Sequence, residues 1–136
     1  MYFSGTFSHT LDTKKRLFIP AKFREGLGET FVLWSVKDEE CIFAYSESDF
    51  ENIASEIYAN GTREMQRYFF QNAITVETDK QGRITIRSDF CEAAGLSKDI
   101  TVAGVGKRIE IWDTKRREKA MSIADAASHT YPQFHF

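Results

Sequence analysis

The residue types and spacings that could carry chemistry fall in two short stretches, Asp12-Thr13-Lys14-Lys15-Arg16 and Asp79-Lys80-Gln81-Gly82-Arg83. Two chemistries suit them. The cations Lys14, Lys15, Arg16, Lys80 and Arg83 could each neutralise a phosphate of duplex DNA, and an arginine can also reach a guanine edge with two parallel hydrogen bonds. Alternatively Asp12 and Asp79, one per stretch, could share a proton as an acid/base pair. That enzyme reading fares poorly, because an arginine four residues from each carboxylate favours both being ionised. Lysines also follow Asp12 where a water-holding pocket needs small neutral groups. Asp12, Asp79 and Gly82 therefore read as turn formers, with the carboxylates accepting backbone or arginine hydrogen bonds. For the cations the plain alternative is a pair of solvated turns, since charged turns are commonplace.

Other chemistry finds little support in the residues. His9, His129 and His135 have no ligand spacing and no carboxylate or cysteine cluster, so no metal site is expected. No glycine-rich phosphate loop or nucleophile elbow occurs, and no cofactor or small-molecule substrate is expected. Cys41 and Cys91 stand alone in apolar settings and read as small buried hydrophobes rather than functional thiols.

The elements that must position the two turns repeat with them. The spacing between the stretches is 67 residues, and six of the seventeen positions from 12 to 28 are identical at that offset: 12, 16, 19, 23, 25 and 28. The chain is an internal duplication. Tyr2 to Thr10 and Ala73 to Thr78 alternate as half-buried strands before each turn, and apolar runs follow directly after Arg16 and Arg83. Ala21 to Leu27, stopped by Gly28, predicts a short helix, matched by Ser88 to Ala94 and Gly95. Hairpins follow at 31–35 with 41–45 and at 100–103 with 108–112. Ser46 to Asp49 caps a helix whose stripe is Phe50, Ile53, Ala54, Ile57 and Tyr58, and Asp113 opens its counterpart. Met65, Tyr68 and Phe69 predict a further short helix. Each half, with four short strands and one apolar face, is too small to bury itself well, so the halves should pack as a pseudo-dimer.

This arrangement resembles the MraZ family of bacterial transcriptional regulators, which hold two AbrB-type units in one chain. The residues carrying the resemblance are Phe3-Ser4-Gly5, the two turns, Leu17 to Arg24, and Gly104 to Trp112. It implies a strand-rich α+β fold: a duplicated swapped-hairpin β-barrel with peripheral helices, its units at 5–47 and 76–119, a helical connector at 48–72 and a helix end and tail at 120–136. It also implies a ring-like homo-oligomer that binds repeated DNA boxes upstream of its own cell-wall and cell-division operon. Lys14, Lys15, Arg16, Lys80 and Arg83 are the DNA-facing positions it implies. An antitoxin-like interaction module is the alternative, since AbrB-type units serve there too.

This sequence departs from the family turn, Asp-x-Lys-Gly-Arg, at Lys15 in the glycine position and Gln81 in the lysine position. Lys15 is expected to take a positive backbone dihedral, at a cost of roughly 1 kcal/mol. Asp89, standing where the first copy has Lys22, is expected to weaken the positive face of the second copy.

Composition sets the remaining bounds. At 136 residues and 42% hydrophobic the chain can bury a core, and its net charge of -2 creates no strong global field, so DNA must be met by a local basic patch. No basic leader followed by an apolar stretch opens the chain and no window approaches a membrane span, so a cytoplasmic, nucleoid-associated protein is expected. Lys115 to Lys119 reads as a solvated face or as a contact for an acidic helix such as Glu47, Asp49 and Glu51. The aromatic tail, His129 to Phe136, either docks or frays.

Overall fold

A computed structural model of the chain describes residues 1–37 and 39–126; the aromatic tail lies outside the described residues. The apolar alternation before each turn forms β1 (Thr6–Thr10), and the run after it forms β2 (Arg16–Phe18). Pro20, without an N–H to donate, ends β2 and precedes α1 (Ala21–Leu27). The hairpin β3 (Thr30–Trp34) and β4 (Ile42–Ser46) leads into α2 (Glu47–Asn60), where Ser46 Oγ accepts from the N–H of Asp49 at 3.2 Å. Thr62 caps α3 (Arg63–Phe70) in the same manner. The second half follows as β5 (Ala73–Glu77), β6 (Arg83–Thr85), α4 (Ser88–Ala94), β7 (Asp99–Val105), β8 (Arg108–Asp113) and α5 (Thr114–Ala126).

Strand pairing interleaves the halves. A six-stranded antiparallel sheet runs β1-β7-β8-β4-β3-β5, and β2 pairs with β6 in a separate two-stranded ribbon. Exchanging the halves reverses the sheet order onto itself, so a pseudo-two-fold axis passes between β4 and β8. Among the described residues β1 of the first half pairs only with β7 of the second, Phe7 opposite Val102, and β5 pairs with β3, Ile74 opposite Leu33. The fold is thus α+β and strand-rich, with strands exchanged between copies. The expected closed barrel is not what the ladder forms: β2 and β6 are three residues each and spend their hydrogen bonds on one another. Beyond the single bridge Leu11 to Leu17, no ladder joins the ribbon to the sheet edges among the described residues.

Both halves feed one core. Leu17 with Ile84, Ile19 with Ile86, Phe23 with Phe90 and Ile42 with Ile109 are symmetry-related pairs buried in a single cluster. The opposite face of β3 and β4 carries a second cluster, with no equivalent in the second half among the described residues: Trp34, Val36, Ala54 and Phe69, flanked by Phe43, Tyr45, Phe50, Ile53 and Ile57. Two faces to cover explain why Phe31 to Trp34 reads as a continuous apolar run. Tyr58 departs from the expected stripe and is 75% exposed. Cys41 and Cys91 are both buried, and burial pushes both thiols up.

Candidate nucleic-acid interface

Each turn is built by its aspartate. Asp12 Oδ1 accepts from the N–H groups of Lys14 (2.9 Å) and Arg16 (2.8 Å), and Asp12 Oδ2 accepts from Arg16 Nε at 2.7 Å. The backbone closes the loop, with the Lys15 N–H donating to Asp12 O at 3.0 Å and the Asp12 N–H to Arg16 O at 3.1 Å. Asp79 repeats this set on Gln81 and Arg83, at 2.9 Å for each of its three carboxylate contacts. The N–H groups of Arg16 and Arg83, together with the guanidinium groups, hold the two carboxyls below their ordinary range. Both are therefore anionic at neutral pH, and each guanidinium is gripped through Nε alone. Its terminal amino groups have no protein acceptor among the described residues.

The fourth turn residue needs a left-handed backbone. Gly82 has φ 77°, and Lys15 has φ 62°, the one non-glycine residue with positive φ among the described residues. From there the turns are cross-tied: the carbonyl of Gly82 accepts from the N–H of Ile19 at 2.9 Å, and that of Lys15 from the N–H of Ile86 at 2.8 Å.

The ribbon then sets which way the cations face. Leu17 pairs with Ile84 and both are buried, so the alternating residues Arg16, Phe18, Arg83 and Thr85 lie on the other, outward side. Arg16 and Arg83 thus share one face. Lys14, Lys15 and Lys80 are exposed on the turns at its two ends. Asp12 and Asp79 precede antiparallel strands, so they stand off opposite ends of the ribbon, each ion-paired to its own arginine. That separation removes the geometric basis for a shared proton.

Two further features were not legible in the spacing. Asp89 grips Arg87 in a two-point ion pair (2.7 and 2.9 Å), so its charge is balanced locally rather than set against the turn cations. Arg24, on α1, comes to the same outward region: its Nε donates to the Ile19 carbonyl at 2.9 Å and its guanidinium lies 5.2 Å from the centre of the Phe18 ring. The signal that could have found Arg24 is a failure of the repeat, since its counterpart 67 residues on is Cys91.

Comparison with known proteins agrees with the duplication. The profile of the family described as "MraZ protein, putative antitoxin-like" matches twice in tandem, over residues 2–68 and 69–133. The protein named transcriptional regulator MraZ of Acetivibrio thermocellus is 43% identical over 121 residues, covering 85% of this chain and 84% of its own length. Its namesake in Caldanaerobacter subterraneus subsp. tengcongensis is 40% identical over 128 residues, covering 90% and 89%. That of Heliobacterium modesticaldum is 39% identical over 122 residues, covering 86% and 85%. A match to both halves and relatives of this identity along nearly the whole length lead to one conclusion: the chain belongs to the MraZ family.

Proposed function

We propose that this chain is a sequence-specific, double-stranded-DNA-binding transcriptional regulator without catalytic activity, working in the cytoplasm at the nucleoid on repeated boxes upstream of its own operon. One observation carries the reading. Two aspartate-built turns present Arg16 and Arg83 on one outward ribbon face, each with its terminal amino groups unengaged, and Lys14, Lys15 and Lys80 flank them. Arginines positioned this way suit phosphate and guanine contacts, and the flanking lysines suit phosphate alone. Strand exchange between the halves supports the swapped AbrB-type pairing, with DNA-contacting units at 5–47 and 76–119 and the connector at 48–72.

Two turns per chain neutralise few phosphates, so several chains acting on several boxes are needed for tight binding, and the working form is a ring-like homo-oligomer. A surface suited to such assembly is the groove of about 290 Å³ between the β3–β4 hairpin and α2–α3, lined by Trp34, Phe43, Tyr45, Ile57, Met65 and Tyr68. Met65 and Tyr68 are half exposed there. The basic run Lys115 to Lys119 meeting Glu47, Asp49 and Glu51 of a neighbour would add a polar contact. The antitoxin-like reading draws on the same groove with a different protein as its occupant.

The test is a binding titration of the protein against the duplex upstream of its own gene and against a scrambled duplex, at several salt concentrations. The expected result is preference for the first duplex, with strong weakening by Arg16→Ala and by Arg83→Ala while the fold stays intact. Equal affinity for both duplexes, or wild-type affinity in both variants, would overturn the reading.

A further inference from the structure

The two turns carry unequal charge. Residues 12 to 16 hold three cations against one aspartate, and residues 79 to 83 hold two against one. The structure compensates with a residue from the opposite half. Arg24 on α1 and its counterpart Cys91 on α4 occupy equivalent places: Arg24 Nε donates to the Ile19 carbonyl at 2.9 Å, and Cys91 Sγ to the Ile86 carbonyl at 3.7 Å. Because the turns are cross-tied through Ile19 and Ile86, each of these side chains lies beside the turn of the other copy. Over the second turn the guanidinium of Arg24 covers Gly82, where an added Cβ would stand 2.7 Å from Arg24 Cζ; Gly82 is accordingly buried. Over the first turn Cys91 is short, Lys15 stays exposed, and the turn supplies its own third cation.

Arg24 is only half-buried and makes no ion pair with a carboxylate among the described residues. Its Nε is engaged, its guanidinium carbon lies over the ring of Phe18, the cross-strand neighbour of Arg83, and its two terminal amino groups, one of them against Gly82, have no protein acceptor among the described residues. A guanidinium fixed at Nε and held over an aromatic ring is pre-organised for a contact with a phosphate or a base edge. We infer that Arg24 is a DNA contact of the second turn, supplied by the first half, so that Arg24, Lys80 and Arg83 form one three-cation site and Lys14, Lys15 and Arg16 the other. This rests on the turns being the DNA-binding elements.

The experiment uses the full chain with Arg24→Gln and Arg24→Lys, titrated over a salt series on the upstream and scrambled duplexes. Arg24→Gln is expected to weaken binding roughly tenfold, the loss of one charge-assisted contact. It should also flatten the slope of log affinity against log salt by about 0.9 per engaged second turn, and Arg24→Lys should restore the slope because it keeps the charge. Losses should be non-additive with Arg83→Ala and additive with Arg16→Ala. A lower melting temperature with an unchanged salt slope in Arg24→Gln would make Arg24 a cover for Gly82 and nothing more. Phenylglyoxal modification of the wild-type protein, read by mass spectrometry, needs no variant to fold: the upstream duplex should protect Arg24 alongside Arg16 and Arg83. Protection of those two with Arg24 equally reactive sinks the role of Arg24 alone, whereas protection of none of the three sinks the turns themselves.

Discussion

Lys15 and Gly82 occupy the same turn position, yet substitution there should act in opposite directions. Lys15 is exposed at φ 62°, so Lys15→Gly removes backbone strain and should stabilise the fold by roughly 1 kcal/mol. It also removes a phosphate contact and should flatten the salt slope by about 0.9 per engaged first turn, while barely altering discrimination between target and scrambled duplex. Salt titrations paired with thermal melts check both halves of that statement. Gly82→Ala should destabilise, because its φ of 77° is strained for alanine and the new Cβ would press on Arg24. Asp12 and Asp79 give a pH signature. Their folded-state carboxyls titrate below the ordinary 3.8, so the folded form binds those protons less readily than the unfolded chain. Their contribution is intact above about pH 4 and is lost as pH falls through the folded value. Asp12→Asn and Asp79→Asn should each lower stability near neutral pH and soften the acid limb of a melting-temperature profile; an unchanged acid limb would deny the carboxylates their part in the turn.

The elements and hairpins set by local chemistry were legible, and the pairings between distant strands were not. Helices at 21–27 and 88–94 lie where glycine stops and the repeat predicted them. β1 begins at Thr6 rather than Tyr2, because Gly5 turns left-handed at φ 86° and leaves Phe3 with a single bridge to Gly106. Strand exchange was expected from the family resemblance alone and had no signature in the residue pattern, since two similar copies offer one another the same alternating faces whether they pair within or between halves. For that reason nothing in the sequence marks Arg24 as a neighbour of Gly82. Helix starts were readable, and they differ in strength. Ser46 caps α2 through one backbone N–H, that of Asp49, with its hydroxyl also 3.3 Å from that of Ser48, so Ser46→Ala should cost about 1 kcal/mol. Asp113 caps α5 through the Arg116 N–H and also holds the N–H and hydroxyl of Ser97 in the loop before β7. Asp113→Ala should therefore cost more than Ser46→Ala in chemical denaturation, and equal costs would mean the Ser97 tie is energetically idle.

At the scale of the whole molecule, light scattering at micromolar protein is expected to give a mass several times that of the chain; a monomer that retains tight, specific binding would contradict assembly through the α2–α3 groove. The interleaved sheet also has a consequence for how the chain is made. β1 leaves the ribosome early but has no partner until β7 is synthesised, since Phe7 must find Val102, and β2 likewise waits for β6. The nascent first half is therefore an incomplete sheet with an open edge and an uncovered apolar face, and its closure awaits distant contacts, which fold on a millisecond-to-second scale rather than in microseconds. Released alone, residues 1–70 should aggregate or be degraded; produced together with 71–136, the two pieces should reassemble, because four of the six ladders among the described residues run between them.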